Sequence, residues 1–208
     1  MKLLPPGAAA ALFAAGLALS PFASRAADAA GAERFIAALG DEVVSTLQRP
    51  DLTLEEAETQ FRGVFRTNFD IPTIGQFSLG RYWRVASPTE REEFLLLFEE
   101  MIVETYARRF TEYSGQSFRV TGSREISERD VLVSTSIINA DGQLVVVIDW
   151  RVRQRETGYQ IIDVVVEQVS MGVTQRSDFN AVIQRGGGKV EVLLQALREQ
   201  VQTAQQDG

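Results

Sequence analysis

The chain has neither cysteine nor histidine among its 208 residues. Without a thiol or an imidazole, cysteine nucleophiles, serine–histidine triads, imidazole proton shuttles and zinc sites with nitrogen or sulfur ligands are excluded together. Disulfides are excluded as well, so the stability of the fold must come from a packed core. Basic charge is in short supply: 21 Lys and Arg stand against 28 Asp and Glu, a formal net charge of -7. A nucleic-acid partner, which rewards a basic surface, is therefore not expected. Long apolar runs are missing after residue 26; the richest, Leu144 to Ile148, is of strand length and too short to cross a bilayer. No run of alternating oxygen ligands closing on a glutamate points to calcium, and no metal site or cofactor is expected. What remains is 45% hydrophobic, 24% charged and 9% aromatic, the profile of an ordinary folded protein, and one domain is the default at this length.

The first residues read as an address. Lys2 gives a positive start, Ala8 to Leu19 is small and apolar throughout, and Ser24-Arg25-Ala26 puts small residues at the two positions a signal peptidase reads. A membrane anchor is the competing reading, but the 12 residues of the apolar run would span only about 18 Å, short of a hydrocarbon core of about 30 Å. Cleavage after Ala26 is expected, and no cysteine follows to carry a lipid. The expectation is a secreted, soluble domain over 27–202, with a polar tail from 203 to 208 that frays.

Phe35, Ile36, Leu39, Val43 and Leu47 recur at helical spacing, and so do Leu54, Ala57, Phe61, Val64 and Phe65 after the Pro50-Asp51 break. Between Pro72 and Gly80, Ile74 and Phe77 suggest a short helix followed by an ordered loop. Ser87, Pro88 and Glu90 form the opening of a capped helix that can run to Tyr113. Its apolar residues cover more than one face, so it must be contacted on two sides, one of which need not be protein. From Phe118 the period becomes two, with strands at Phe118 to Ile126, Val131 to Ile138, Leu144 to Arg153 and Tyr159 to Val166. Helical spacing returns in Phe179, Val182 and Ile183 and again from Val190 to Val201. The predicted fold class is α+β: a twisted antiparallel sheet of about four strands with helices packed on one face, enclosing an apolar cavity.

Few groups could carry chemistry. Gly186-Gly187-Gly188-Lys189 lacks the spacing of a phosphate loop, since Ile183 and Val190 stand where glycine and serine or threonine belong; it reads as a helix stop. Carboxylates are the remaining general bases. Asp149 and Asp163 each interrupt an apolar strand, which leaves open a cavity enzyme of the ketosteroid-isomerase type with one of them as base and Tyr106 or Tyr159 as hydrogen-bond donor. The plainer reading is that both aspartates point away from the apolar face and bond to neighbours. Arginines cluster at Arg81 and Arg84, at Arg108-Arg109, and at Arg151, Arg153 and Arg155; solvated faces and ion pairs account for most such clusters, and phosphate contact for the rest.

Several blocks, in order, carry a resemblance. They are Phe69-Asp70-Ile71, Gly80-Arg81-Tyr82-Trp83, the run Ser87 to Phe94, Asp149-Trp150-Arg151-Val152, the run Tyr159 to Glu167, Val169-Ser170-Met171 and Arg176-Ser177-Asp178-Phe179. Together they resemble the MlaC family of soluble periplasmic phospholipid-binding proteins, also grouped with toluene-tolerance proteins. Gln168 departs from the pattern, where the family usually has glycine. The resemblance implies a non-enzymatic periplasmic carrier that takes a glycerophospholipid's acyl chains between sheet and helices. It also implies handover between an outer-membrane lipoprotein-porin complex and an inner-membrane ABC transporter complex, so that outer-membrane lipid asymmetry is maintained. On this reading the pocket is expected from the sheet face of Val133, Val146, Ile148, Trp150, Ile162, Val164 and Val166, opposed by Phe94, Phe98, Met101 and Ile102, with Arg81 and Arg84 at the headgroup.

Overall fold

The computed structural model describes residues 27–49, 51–110 and 115–206, except for the side chains of 108–110 and 205. The expected leader, the Pro50 break and the helix end at Tyr113 lie outside the described residues. Among the described residues six helices accompany one sheet: α1 (Ala29–Leu47), α2 (Leu54–Asn68), α3 (Ile71–Leu79), α4 (Pro88–Phe110), α5 (Met171–Arg185) and α6 (Val190–Gln206), with a 3-10 turn at Gly80–Arg84. The strands are β1 (Ser117–Glu125), β2 (Asp130–Ile138), β3 (Leu144–Arg155), β4 (Gly158–Val166) and the two-residue β5 (Val169–Ser170). They lie in chain order in one antiparallel sheet. The α+β reading holds, with a short fifth strand added to the four expected.

Local chemistry fixes the helix starts. Ser87 and Glu90 exchange the two bonds of a capping box ahead of α4, and Thr53 and Glu56 do the same ahead of α2, satisfying amide groups that have no partner inside the helix. Helix α1 begins at Ala29, six residues before the apolar period does, and is capped by Asp28, whose carboxylate accepts from the Gly31 amide at 2.8 Å and from the Tyr159 hydroxyl at 2.8 Å. Gly31 and Gly40 let α1 lie close on the sheet: a Cβ at Gly31 would collide with the Tyr159 hydroxyl, and one at Gly40 with the Phe118 ring. The triple glycine does end a helix, with Gly187 and Gly188 both at positive φ.

The buried apolar residues fall into two clusters. The first belongs to the helices: Phe65, Leu79, Tyr82, Phe94, Phe98, Met101, Phe179, Ile183, Leu193, Leu194 and Leu197 are among its members, and it contains no sheet residue. Helix α4 packs between α2 and α6, so the two-sided cover its sequence demands is supplied by protein. The second cluster is α1 on the sheet: Ile36 and Leu39 against Val131, Val133, Val152 and Ile161. Among the described residues Phe69, at the end of α2, is the one packed partly against both. Around it Asp70 fastens the layers together, with its amide donating to the Ile161 carbonyl and its carboxylate accepting from Thr73 and pairing with Arg155 of β3.

Candidate functional site

Strand register shows which side chains share the face under α1. Val131, Val152 and Ile161 make one cross-strand row, and Val133, Trp150 and Val164 the next. Thr135, Ile148, Val166 and Val169 make the third, and Ile137 and Val146 the fourth. Directly opposed residues point to the same side of an antiparallel sheet, so Val146, Ile148, Trp150, Val164 and Val166 lie together as the alternating pattern predicted. Ile162 does not join them. The register shifts between Arg151 and Val152, so Ile161 stands opposite Val152 and Ile162 is the unpaired extra residue. A bulge of this kind is invisible to a strict period of two.

Burial grades across this face. Ile161 and Val152 are 0% exposed beneath α1, whereas Ile148, Val164, Val166 and Val146 are only half-buried. Helix α1 crosses the face obliquely, with its N-terminal end against Tyr159 of β4 and Gly40 against Phe118 of β1, and leaves the corner around Ile148 and Val166 beyond its reach. Among the described residues Val146, Ile148 and Val166 join neither packed cluster. Trp150 borders this corner. Its indole N–H donates to the Thr135 hydroxyl at 2.9 Å, and that hydroxyl donates to the Ile148 carbonyl at 2.9 Å. With its polar end satisfied, the indole offers the corner an apolar ring held edge-on to Phe118. The result is a contiguous half-buried apolar surface whose neighbours are aliphatic and aromatic, with the chemistry to hold hydrocarbon.

The helical wall expected opposite this face is placed differently. Phe94, Phe98 and Met101 are buried in the helical cluster, where both phenylalanine rings meet Phe179 edge to face, and Ile102 packs partly against the same cluster. The structure therefore does not bring these four side chains together with the sheet face. Beyond α1, the helical side reaches toward it with Val64 and Phe69, both packed partly against the sheet cluster. Phe69 stood in a motif block, yet nothing in its spacing marked it as the joint between two cores. Arg81 stacks over the Tyr82 ring and donates to its hydroxyl at 2.9 Å, and Arg84 is exposed on the 3-10 turn.

The enzyme constellation is not assembled. Asp149 and Asp163 stand opposite Ser134 and Arg151, on the reverse of the Trp150 face. Asp163 accepts from the Ser170 hydroxyl at 2.7 Å and from the amides of Gly172 and Val164, anchoring the start of α5, and Asp149 accepts from the Ser134 hydroxyl. The Tyr159 hydroxyl is engaged by Asp28, and Tyr106 stacks on Phe61. The third arginine group is partly absorbed in ion pairs: Arg153 forks onto Asp130 at 2.7 and 2.9 Å and Arg155 binds Asp70, while Arg151 is exposed. The side chains of Arg108 and Arg109 lie outside the described residues. No group of acidic residues among those described is arranged to hold a metal, and no described helix is long and apolar enough to cross a membrane.

The family model described as MlaC protein matches residues 37–199. The intermembrane phospholipid transport system binding protein MlaC of Haemophilus influenzae is 25% identical over 138 residues, which span 63% of this chain and 64% of that relative's length. A phospholipid-binding protein from Ralstonia solanacearum, solved in complex with a phospholipid, superposes with a TM-score of 0.76 at 24% identity, covering 83% of this chain and 98% of the other. That superposition establishes a shared fold.

Proposed function

From the premise that the chain belongs to the MlaC family, we propose that it is a periplasmic phospholipid carrier, non-catalytic, which takes lipid at one membrane and releases it at another. The observation that carries this reading is the corner of Val146, Ile148 and Val166, an apolar surface shared with Trp150 and Val164 that neither packed cluster fills. A relative named for phospholipid transport and a structural neighbour solved with a phospholipid support the ligand class. Acyl chains against this face lose contact with water at about 0.8 kcal/mol per methylene, so two sixteen-carbon tails gain on the order of 20 kcal/mol relative to water. A bilayer is equally apolar, and it is the true competitor. The net preference is therefore small, which suits a carrier that must give its cargo up. No cofactor and no catalytic group is needed for that exchange. Donor and acceptor would be an outer-membrane lipoprotein-porin complex and an inner-membrane ABC transporter complex, with the traffic maintaining outer-membrane lipid asymmetry.

Organic extraction of the purified protein followed by mass spectrometry tests the reading. The expected result is phospholipid near one molecule per chain, lost in a Val164→Arg variant whose circular dichroism remains native-like. A protein that emerges lipid-free and takes up no phospholipid from vesicles would overturn it.

A further inference from the structure

Acidic residues are spread unevenly along the chain. Neither Ile71 to Thr89 nor Gln168 to Ser177 contains an aspartate or glutamate, although the protein carries 28 of them and a formal net charge of -7. The fold brings the two segments together. A Cβ at Gly172 of α5 would stand 3.3 Å from the Phe77 ring of α3, the Arg176 guanidinium lies 5.3 Å from the centroid of that ring, and a Cβ at Gly80 would stand 2.8 Å from Arg176 Nε. From Gly80 the 3-10 turn continues to Arg84, and Arg91 of α4 holds its end, stacked 5.6 Å from the Trp83 ring centroid and donating to the Trp83 carbonyl at 2.8 Å. Arg81, Arg84 and Arg176 are exposed, and among the described residues none of the three is ion-paired. Three of the carboxylates that bound the two segments are engaged, Asp70 with Arg155, Glu90 with the Ser87 amide and Glu167 with the Val147 amide. The fourth, Asp178, stands two residues from Arg176, a spacing that does not face it on a helix.

Apolar side chains are exposed among these cations. Val85, next to Arg84, is 73% exposed, the highest value for any large apolar side chain described; Val173 is 56% exposed and Phe77 42%. This surface is not the apolar corner, because Gly172 sits against the Asp163 carboxylate, on the reverse of the Trp150 face. We propose that Phe77, Arg81, Arg84, Val85, Val173 and Arg176 dock the protein on an anionic bilayer, with the arginines on lipid phosphates and the apolar side chains in the headgroup layer. Docking there is separate from cargo binding and does not depend on it. The acidic remainder of the molecule is repelled by such a surface, so charge turns the acid-free face toward it. A guanidinium offers a fork of donors matched to phosphate oxygens. A purely acidic partner would meet the arginines alone, whereas the boundary between headgroups and acyl chains takes cations and apolar side chains together. Half-buried Trp83, under Arg91, adds an indole of the kind that boundary favours.

Co-sedimentation of the processed chain from Ala27, as purified, with vesicles tests this. One set is an equal mixture of dioleoylphosphatidylglycerol and dioleoylphosphatidylcholine, the other phosphatidylcholine alone, both at about 0.1 M salt. Wild-type protein is expected on the anionic vesicles and not on the neutral ones, and to leave them as salt is raised. Arg84→Gln and Arg176→Gln together should weaken the binding about 25-fold, at about fivefold for each arginine near an anionic surface, and Val85→Asp alone at least about fivefold. Arg124→Gln, an exposed arginine on β1 at the opposite edge of the sheet, should change it by less than about twofold. Each variant should keep wild-type circular dichroism and wild-type lipid content on organic extraction. Wild-type protein that ignores the anionic vesicles overturns the proposal, and so does equal weakening by Arg124→Gln, which would mark a diffuse charge effect. Binding seen only on native membranes with their proteins, yet lost with the two arginines, would assign the face to a protein and overturn it too. Loss of cargo from the double arginine variant would place the arginines on the bound lipid and not on a bilayer, again overturning it. Wild-type protein that docks as expected but carries no lipid would sink the carrier reading alone and leave the docking face standing.

Discussion

Ile161 and Ile148 allow a matched experiment on one face of one sheet. Ile161 is 0% exposed and belongs to the α1 cluster; Ile148 is half-buried and belongs to neither cluster. Truncation to alanine removes the same atoms from both. At Ile161 the cost should be the full one for a buried isoleucine, about 2–5 kcal/mol, because transfer free energy and packing are lost together. At Ile148 the lipid-free protein has little packing to lose, and the cost should stay below about 1 kcal/mol. Lipid reverses the sense of the comparison. Ligand that binds only the native state stabilises it in proportion to the logarithm of its concentration over Kd, so Ile148→Ala should narrow the gap between loaded and lipid-free protein by about 1–2 kcal/mol. Urea denaturation of both variants, with and without lipid, reads all four quantities. If Ile148→Ala destabilises the lipid-free protein as much as Ile161→Ala does, Ile148 is ordinary core and the assignment of this corner to ligand is refuted.

Two further outcomes concern the frame around the site. Glu167 and Gln168 form the two-residue turn between β4 and β5, both at positive φ, 48 and 67, where glycine is favoured at the second position; Gln168→Gly should stabilise the protein by about 0.5–1 kcal/mol, and an unchanged or lower unfolding midpoint would show that the turn is not strained by its side chain. The Arg153 guanidinium forked onto Asp130, helped by the Ser127 hydroxyl, holds the Asp130 carboxyl below its ordinary range against the cost of burial. A lowered carboxyl pKa contributes stability that is present above the unfolded value near 3.9 and is lost as pH falls through the folded one. Asp130→Asn should therefore cost about 1 kcal/mol at pH 7, and the gap from wild type should close below about pH 4; a gap independent of pH would refute the ion-pair account.

Most of the architecture was legible because it is written in local chemistry. Four strands announced themselves by alternation and turn residues, and Ser87, Pro88 and Glu90 marked the start of α4 to the residue. What escaped is non-local or depends on small residues. The first turn of α1 is Ala29-Ala30-Gly31-Ala32, which gives no apolar period, although its smallness is what lets the helix approach Tyr159. The bulge at Ile162 moves a neighbour into the core without changing the composition of the strand. Phe94, Phe98 and Met101 looked suited to a pocket wall since spacing shows that a residue is apolar and not which apolar neighbour it meets; α5 and α6, distant in sequence, supplied the neighbours. The edge strand at Val169 and Ser170 is two residues long and has no period at all.

The separation of the two clusters bears on how a lipid can be both held and released. A sheet packed into the helical core along its whole face would leave tails no surface without tearing out side chains, at about 2–5 kcal/mol for each large residue displaced. Here the sheet carries its own core with α1, and the helices carry theirs around Phe94, Phe98 and Phe179, so each layer is stable without the other's cover over Ile148 and Val166. The layers are tied where Asp70 caps α3, donates its amide to Ile161 and pairs with Arg155, where Phe69 packs partly against both cores, and again where the Asp163 carboxylate of β4 accepts from the Ser170 hydroxyl and the Gly172 amide at the start of α5. These ties fix the relative position of the layers and leave the corner of Val146, Ile148 and Val166 outside both cores. The half-burial of that corner is therefore a consequence of dividing one core into two, and under the proposed carrier function that division would let an apolar ligand come and go without unfolding either half.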